Sequence, residues 1–387
     1  MPALRRNSPE AELEKLIAIY LKAETDIINE IGRLRSQGLV DYHAVAALER
    51  VQAILRQMEN DAWEYVPKMI EREFYVNHPE ARRFYESIKK HTAGYENAAA
   101  LTVDEQDVVQ RLVMALMGEI TDAAMTAMTT IQDALIGRTE PDVYRRVGLE
   151  QVAAQTATGR GVNRAVPEFV RALQREGVTA FVDRAGRKWS LHTYCTMVSR
   201  TTRRQAEVLS VLTRDPEHDL YRISSHGTTC ALCAPYEGRV YSKSGTDPDF
   251  PPLADAFGKI DLAGPDTLAN TWLNIHPNCL HSISPWTRAG RTEEEIEEIK
   301  RFSSPKTNPY SRDPRTEKQI EAYRKKERSR ARWLRDYRQW ERYRVTLGNK
   351  VPKTFETFLK HKRAGDEKYR RWEGEYRRAN DTSDTEE

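Results

Sequence analysis

The stretch "SSHGTTCALCAPYEGRVYS" runs from Ser224 to Ser242, and "HPNCLHSISPW" follows from His276 to Trp286. Together they hold three of the chain's four cysteines and three of its nine histidines. Cys230-x-x-Cys233 supplies one pair of soft donors. After 42 intervening residues His276-x-x-Cys279 supplies a second, with His281 two positions further on. Two short pairs brought together by the fold are the usual source of a tetrahedral zinc site. A C-x-x-C turn points both sulfurs to one side, and Pro277-Asn278 favours a similar tight turn in the second pair. The fourth ligand is open between His276 and His281, with His226 a more distant choice.

Other chemistries compete for the same residues. A thioredoxin-like redox pair needs its first cysteine at the start of a helix after a strand. Here Pro235, Gly238 and the strand-like "RVYS" follow instead. A catalytic thiol needs a histidine and a carboxylate, and no separate signature supplies them. Catalytic zinc needs an open position and a placed base, for which Glu237 is the nearest candidate. Cysteines simply buried in a core are a further alternative, given the long loop. Structural zinc is the preferred reading. The intervening "GTDPDFPPLADAFGKIDLAGPDTLANTW" is rich in Pro, Gly and Asp and has little core of its own. A metal closing such a loop supplies folding free energy that burial does not. Cys195 stands apart on an amphipathic helical stretch and reads as a small core residue.

On either side of the cysteine stretches the chain changes character. Residues 1–145 read as a helical N-terminal domain. Ser8 and Pro9 open a first helix whose apolar positions Leu13, Leu16, Ile17, Tyr20, Ala23, Ile27, Ile31 and Leu34 recur at helical spacing. Gly38 is placed to stop it. A second helix covers Tyr42 to Met58, with Asp61 to Tyr75 as a continuation. A third carries Val108, Leu112, Leu116, Ile120, Met125, Met128 and Ile131, its methionines read as core. Residues 146–290 read as a small mixed α+β module. It has a Gly/Arg connector near Gly159, a hairpin turning at Ala185-Gly186, a helix capped by Ser190, and strands in "DLYRISS", "GRVYS" and "HSISPW". Residues 291–387 read as a Pro/Ser linker and a basic, aromatic helical tail. The fold class is therefore α+β, with a helical N-terminal region, a zinc-clasped central module and a basic helical extension.

The order "WSLHTYCTMVSRTTRRQA", "ISSHGTTCALCAPYEGRVYS", "HPNCLHSISPW" resembles the minor capsid proteins of tailed bacteriophages. It is similar to the type called phage minor capsid protein 2, related to the head-morphogenesis proteins of the phage Mu class. The resemblance is close from Val178 to Trp286 and carries onto Ser225, His226, Cys230, Cys233, Glu237, Gly238, His276, Pro277, Asn278 and Cys279. Relatives commonly have Arg where this chain has Leu280, and His or Cys at the place of His281. The resemblance implies a structural virion protein rather than an enzyme. It would be present in few copies at the portal vertex, assembled in the host cytoplasm, with portal and capsid proteins as partners. Its expected roles are head assembly and genome packaging or delivery, including DNA ejection.

Charge adds a second pointer. The net charge is +3, yet residues 301–380 hold 25 Lys+Arg against 11 Asp+Glu, so the basic end should face something anionic. Arg324, Lys325, Lys326, Arg328 and Arg330 precede Trp333, Tyr337 and Trp340 at i, i+4, i+7 spacing. These eight are the candidate contacts to packaged double-stranded DNA or to a portal or capsid groove. An ordinary helix packing its aromatics on its own domain is the plain alternative. Arg200, Arg203 and Arg204 in "SRTTRRQA" could bind a phosphate or a partner carboxylate, or form a solvated face. There is no apolar run near the length of a membrane span and no apolar signal segment. Two readings compete with the capsid protein: a zinc-dependent hydrolase or nucleotide-processing enzyme in the central module, and a sequence-independent DNA-binding protein.

Overall fold

The structure is a computed structural model that describes residues 9–37, 41–77, 101–136, 180–182 and 188–384. The Ser8 cap, the Gly38 stop, the connector near Gly159 and the Ala185-Gly186 turn lie outside those residues. The fold is α+β and mostly helical, with a small antiparallel sheet of three strands. Helix α1 spans Pro9–Gln37, α2 Asp41–Asn77 and α3 Val103–Ile136. The two stretches expected within the second helix form one, continuous through Pro67. Strands β1 (Ala180–Val182) and β2 (Lys188–Ser190) pair antiparallel and lead into α4 (Leu191–Arg214). Next come β3 (Leu220–Ile223), β4 (Val240–Ser242), the four-residue α5 (Ala254–Phe257), β5 (Ile283–Pro285) and α6 (Glu293–Ser303). Helices α7 (Glu317–Leu347), α8 (Phe355–Ala364) and α9 (Glu367–Asp384) complete the chain.

Helical periodicity locates the buried faces with one shift. In α1, seven of the eight expected positions are buried and Ile17 is half-buried. In α3 the buried stripe is Val109, Val113, Leu116, Ile120, Ala123, Ala127 and Ile131, while Met125 is 64% exposed. Met117 is buried beside that stripe at 3% exposure, and alanines take the inner positions further along, where a small side chain allows closer approach. By length and composition Val103–Gln132 is apolar enough to cross a membrane, but its buried stripe and acidic outer positions make it no clear span.

Two compact units emerge, each built from separated stretches. One comprises Met1–Leu16, Trp63–Gly118 and Thr196–Ser329; the other comprises Ile17–Ala62, Glu119–Cys195 and Arg330–Glu387. The boundaries of these units fall inside α1, α2, α3, α4 and α7.

In the first unit β3 is central, in the order β4-β3-β5, with Tyr221 opposite both Tyr241 and Pro285. Strand alternation sends Tyr221, Ile223, Tyr241 and Ile283 to one core with Val208 and Leu212 of α4 and Leu253 and Phe257. Leu220 and Val240 meet Phe250 and Trp286 in a second core. The expected linker after α6 is docked in this unit: Tyr310 packs 4.9 Å from the Tyr236 ring, and Arg315 donates to the Thr229 carbonyl at 3.1 Å. Arg203 pairs with Glu10 and, at 2.5 Å, with Glu73, and Arg204 pairs with Glu207. Those two arginines of "SRTTRRQA" are thus used inside the fold.

The second unit is held by rings. Trp333 stacks on Tyr337 at 5.2 Å, Tyr337 meets Phe355 at 5.2 Å, and Phe358 stacks on Trp372 at 5.9 Å. Tyr337 and Trp340 are 2% and 0% exposed. These two are core residues on the inward face of α7, while Trp333, the first ring of the i, i+4, i+7 stripe, remains 37% exposed. Arg344 is buried too, donating to Asn29 Oδ1 at 2.7 Å and to the Val351 carbonyl at 3.0 Å. Gly32 is needed where α1 meets α7, since an added Cβ would lie 2.9 Å from the Arg344 carbonyl oxygen.

Candidate metal centre

The two cysteine stretches meet because the strands attached to them are neighbours. The first turn leaves β3 and returns as β4, while the second leads directly into β5, which pairs with β3. Ser224 fastens the junction: its amide donates to the Ser282 carbonyl at 2.9 Å, and the Ser282 amide donates to Ser224 Oγ at 3.0 Å. In the first turn the Ala234 amide donates to the Cys230 carbonyl at 3.1 Å, and the Cys233 amide points at Cys230 Sγ at 3.3 Å. Gly238 then takes a φ of +72°, a left-handed conformation that lets the chain re-enter the sheet. In the second turn the Cys279 amide donates to the His276 carbonyl at 3.0 Å, with Asn278 at φ 63°. Asparagine tolerates that conformation better than most residues.

The donor atoms converge. Cys230 Sγ lies 3.1 Å from His276 Nε2, Cys233 Sγ 3.6 Å from Cys279 Sγ, and Cys279 Sγ 3.4 Å from His281 Nδ1. Two triads result, Cys230–Cys233–His276 and Cys233–Cys279–His281, each with ligand atoms within 4.8 Å of one another. Cys233 belongs to both. Each could hold a metal ion. Both imidazoles are oriented through their other nitrogen, His276 Nδ1 at 2.6 Å from the Pro277 carbonyl and His281 Nε2 at 2.6 Å from Glu237 Oε1. Such outer partners are what metal-bound histidines ordinarily have.

The sequence matches the model of the phage minor capsid protein 2 family over residues 8–358. The chain belongs to the phage minor capsid protein 2 family. The match supports a structural phage role and a virion component. No curated protein and no solved structure matches the chain.

In this minor capsid protein the electrostatics of the cluster follow from its contacts. Cys230 is pulled down to about 3, by the hydrogen bond from Cys233 and then by that from His276. Cys279 is pulled down to about 4 by its contact with Cys233, with His281 adding to it against burial. Cys233 is pushed up, because it serves as the shared thiol donor to the other two sulfurs. His276 is raised to about 9 by Cys230. Burial works against a charged His281, but Cys279 and Glu237 outweigh it and the net shift is upward. Thiolates are already favoured at Cys230 and Cys279, the form in which cysteine ligates a metal.

Glu237 is engaged by two donors, the His281 ring and the His226 amide at 2.8 Å. His226 belongs to neither triad; its ring lies 4.5 Å from the His281 ring and burial lowers its pKa. Cys195 is buried elsewhere, its thiol pushed up by burial. Leu280 is 51% exposed. Residues missed from sequence include Thr201, whose hydroxyl accepts from the Asn278 amide at 3.2 Å. Arg239 is another: it is buried behind the first turn, donating to the Pro235 carbonyl at 2.6 Å and lying 4.7 Å from the Tyr310 ring. Thr201 and Arg239 meet Asn278 and Tyr310 across long sequence separations, so no local pattern marked them. Of the expected basic contacts, Arg324, Lys325, Lys326, Arg328 and Arg330 are exposed on α7, with Arg328 paired to Glu321.

Proposed function

We propose that this minor capsid protein is a structural component at or near the portal vertex, aiding head assembly and genome packaging or delivery. Its central module is clasped by zinc through Cys230, Cys233, Cys279 and either His276 or His281. Zinc suits the set because it takes thiolate and imidazole together without geometric demands of its own. Bound zinc supplies closure here: it ties the turn after β3 to the turn before β5. The residues do the orienting, with the Pro277 carbonyl holding His276 and Glu237 holding His281. The family match over residues 8–358 carries the reading. Assembly rather than turnover is favoured, since Glu237, the nearest carboxylate, is committed to His281 and the His226 amide. Portal and capsid proteins are the partners, and exposed basic residues of α7 meet packaged DNA.

The test has two arms. Particles purified from an infected or induced host cytoplasm should contain the chain in few copies and in complex with portal protein; its absence from purified particles overturns the virion role. Elemental analysis of the purified chain should find one zinc per molecule, lost in Cys230→Ser and Cys279→Ser. Metal-free protein as stable as the metal-loaded form overturns the clasp.

A further inference from the structure

The inward face of α7 is aromatic, and its opposite face is a ladder of arginines. Arg332, Arg335, Arg338 and Arg342 recur at helical spacing, all exposed, along about 15 Å of helix. With Lys362 and Arg363 of α8 they line a groove of about 660 Å³. Asp336 is the acid lining it, and Lys362 already binds Asp336 at 2.6 Å. Arg338 and Arg342 lie near Glu341 of their own helix. Arg332, Arg335 and Arg363 have no acidic partner among the described residues. Like charges gathered this closely repel one another unless an anion lies among them.

We infer that the groove between α7 and α8 seats the phosphate backbone of duplex DNA without sequence choice. Three observations favour phosphates over an acidic protein. Five of the six cations are arginine, whose planar fork matches phosphate oxygens. Leu359 is the one apolar side chain of the lining, whereas protein partners anchor through apolar and aromatic pockets. The ladder runs along a line, as a polyphosphate strand does, rather than converging on a point. This moves the DNA contact from the residues before Trp333 to the groove beyond them. It rests on the virion reading only for its choice of polyanion.

Binding of the full-length chain to a mixed-sequence duplex of about 20 base pairs, measured across a salt series, tests it. Arg335→Glu with Arg342→Glu should weaken binding at low salt about tenfold or more and flatten the salt slope by about 2. The same charge change at Arg324→Glu with Lys325→Glu, on α7 outside the groove, should weaken it only about two- to threefold. The neutral pair Arg335→Gln with Arg342→Gln, checked for an unchanged melting curve, should follow the groove result. Equal losses inside and outside the groove overturn the proposal. So does a duplex left unaffected while binding of polyglutamate is lost, which would mark the groove as a site for an acidic protein. Particle incorporation is scored separately, so groove binding by a chain absent from particles would sink the virion role and leave the groove standing.

Discussion

The module around residues 220–286 and the helical end from Arg330 onward are held together by different means. The module's strands are three or four residues long. Much of its order comes from polar side chains tying backbone: Ser242 Oγ takes the Gly245 amide at 2.9 Å, and Asn270 Nδ2 donates to the Asp261 carbonyl at 2.8 Å. The helical end is instead cemented by rings from three helices, with Trp340 donating to the Pro352 carbonyl at 3.0 Å. One region sets a single cluster of sulfur and imidazole beside two small apolar cores, and the other spreads its contacts over a broad aromatic surface. A point defect should therefore open the first and only soften the second.

The largest effect is expected at Cys233, which both triads share. Cys233→Ser should abolish metal binding and cost on the order of 4 kcal/mol or more, with protease sensitivity rising in the loop between the cysteine pairs. Chelation of the native chain should reproduce that sensitivity, and a loop that stays protected would break the contrast. Trp340→Ala comes next, at about 3–4 kcal/mol for a fully buried ring. Its metal content should match the parent's by elemental analysis, and zinc lost with the ring would mean that the two regions stand or fall together.

Glu24→Gln sharpens the picture of the helical end through pH. Glu24 Oε1 lies 2.7 Å from His192 Nδ1, and Oε2 accepts the His192 amide at 2.8 Å at the start of α4. Burial opposes the charge, yet His192 holds the Glu24 pKa below its ordinary value of 4.5. The unfolded chain then binds the proton more readily than the folded one. The pair's contribution is present above that ordinary value and is lost as pH falls through the lower folded value. The variant should lose about 2 kcal/mol at neutral pH and show a flatter acid limb in denaturant titrations from neutral pH downward. An unchanged limb would mean the pair contributes nothing. The smallest effect belongs to Thr292, whose side chain and Glu295 form a capping box on α6. Thr292→Ala should cost about 1 kcal/mol by thermal melting, with metal binding intact.

Local order was legible in the chain itself. Helical spacing in α1, the three short strands and the two cysteine turns all follow from residues within a few positions of one another. The family resemblance rested on those same turns. Tertiary structure decided what local pattern could not. Trp333, Tyr337 and Trp340 show the same spacing whether a stripe faces solvent or core, and only the presence of Phe355 and His192 buried Tyr337 and Trp340 while Trp333 stayed 37% exposed. The Pro/Ser stretch after α6 reads as a linker until Tyr310 finds Tyr236. Both histidines stand near the cysteines in sequence, and Glu237, 44 residues from His281, orients one of them only once β3 and β5 are paired. Short-range spacing is written in the order of residues. Which faces meet depends on contacts between residues far apart, whose closure entropy is repaid only when the whole unit forms.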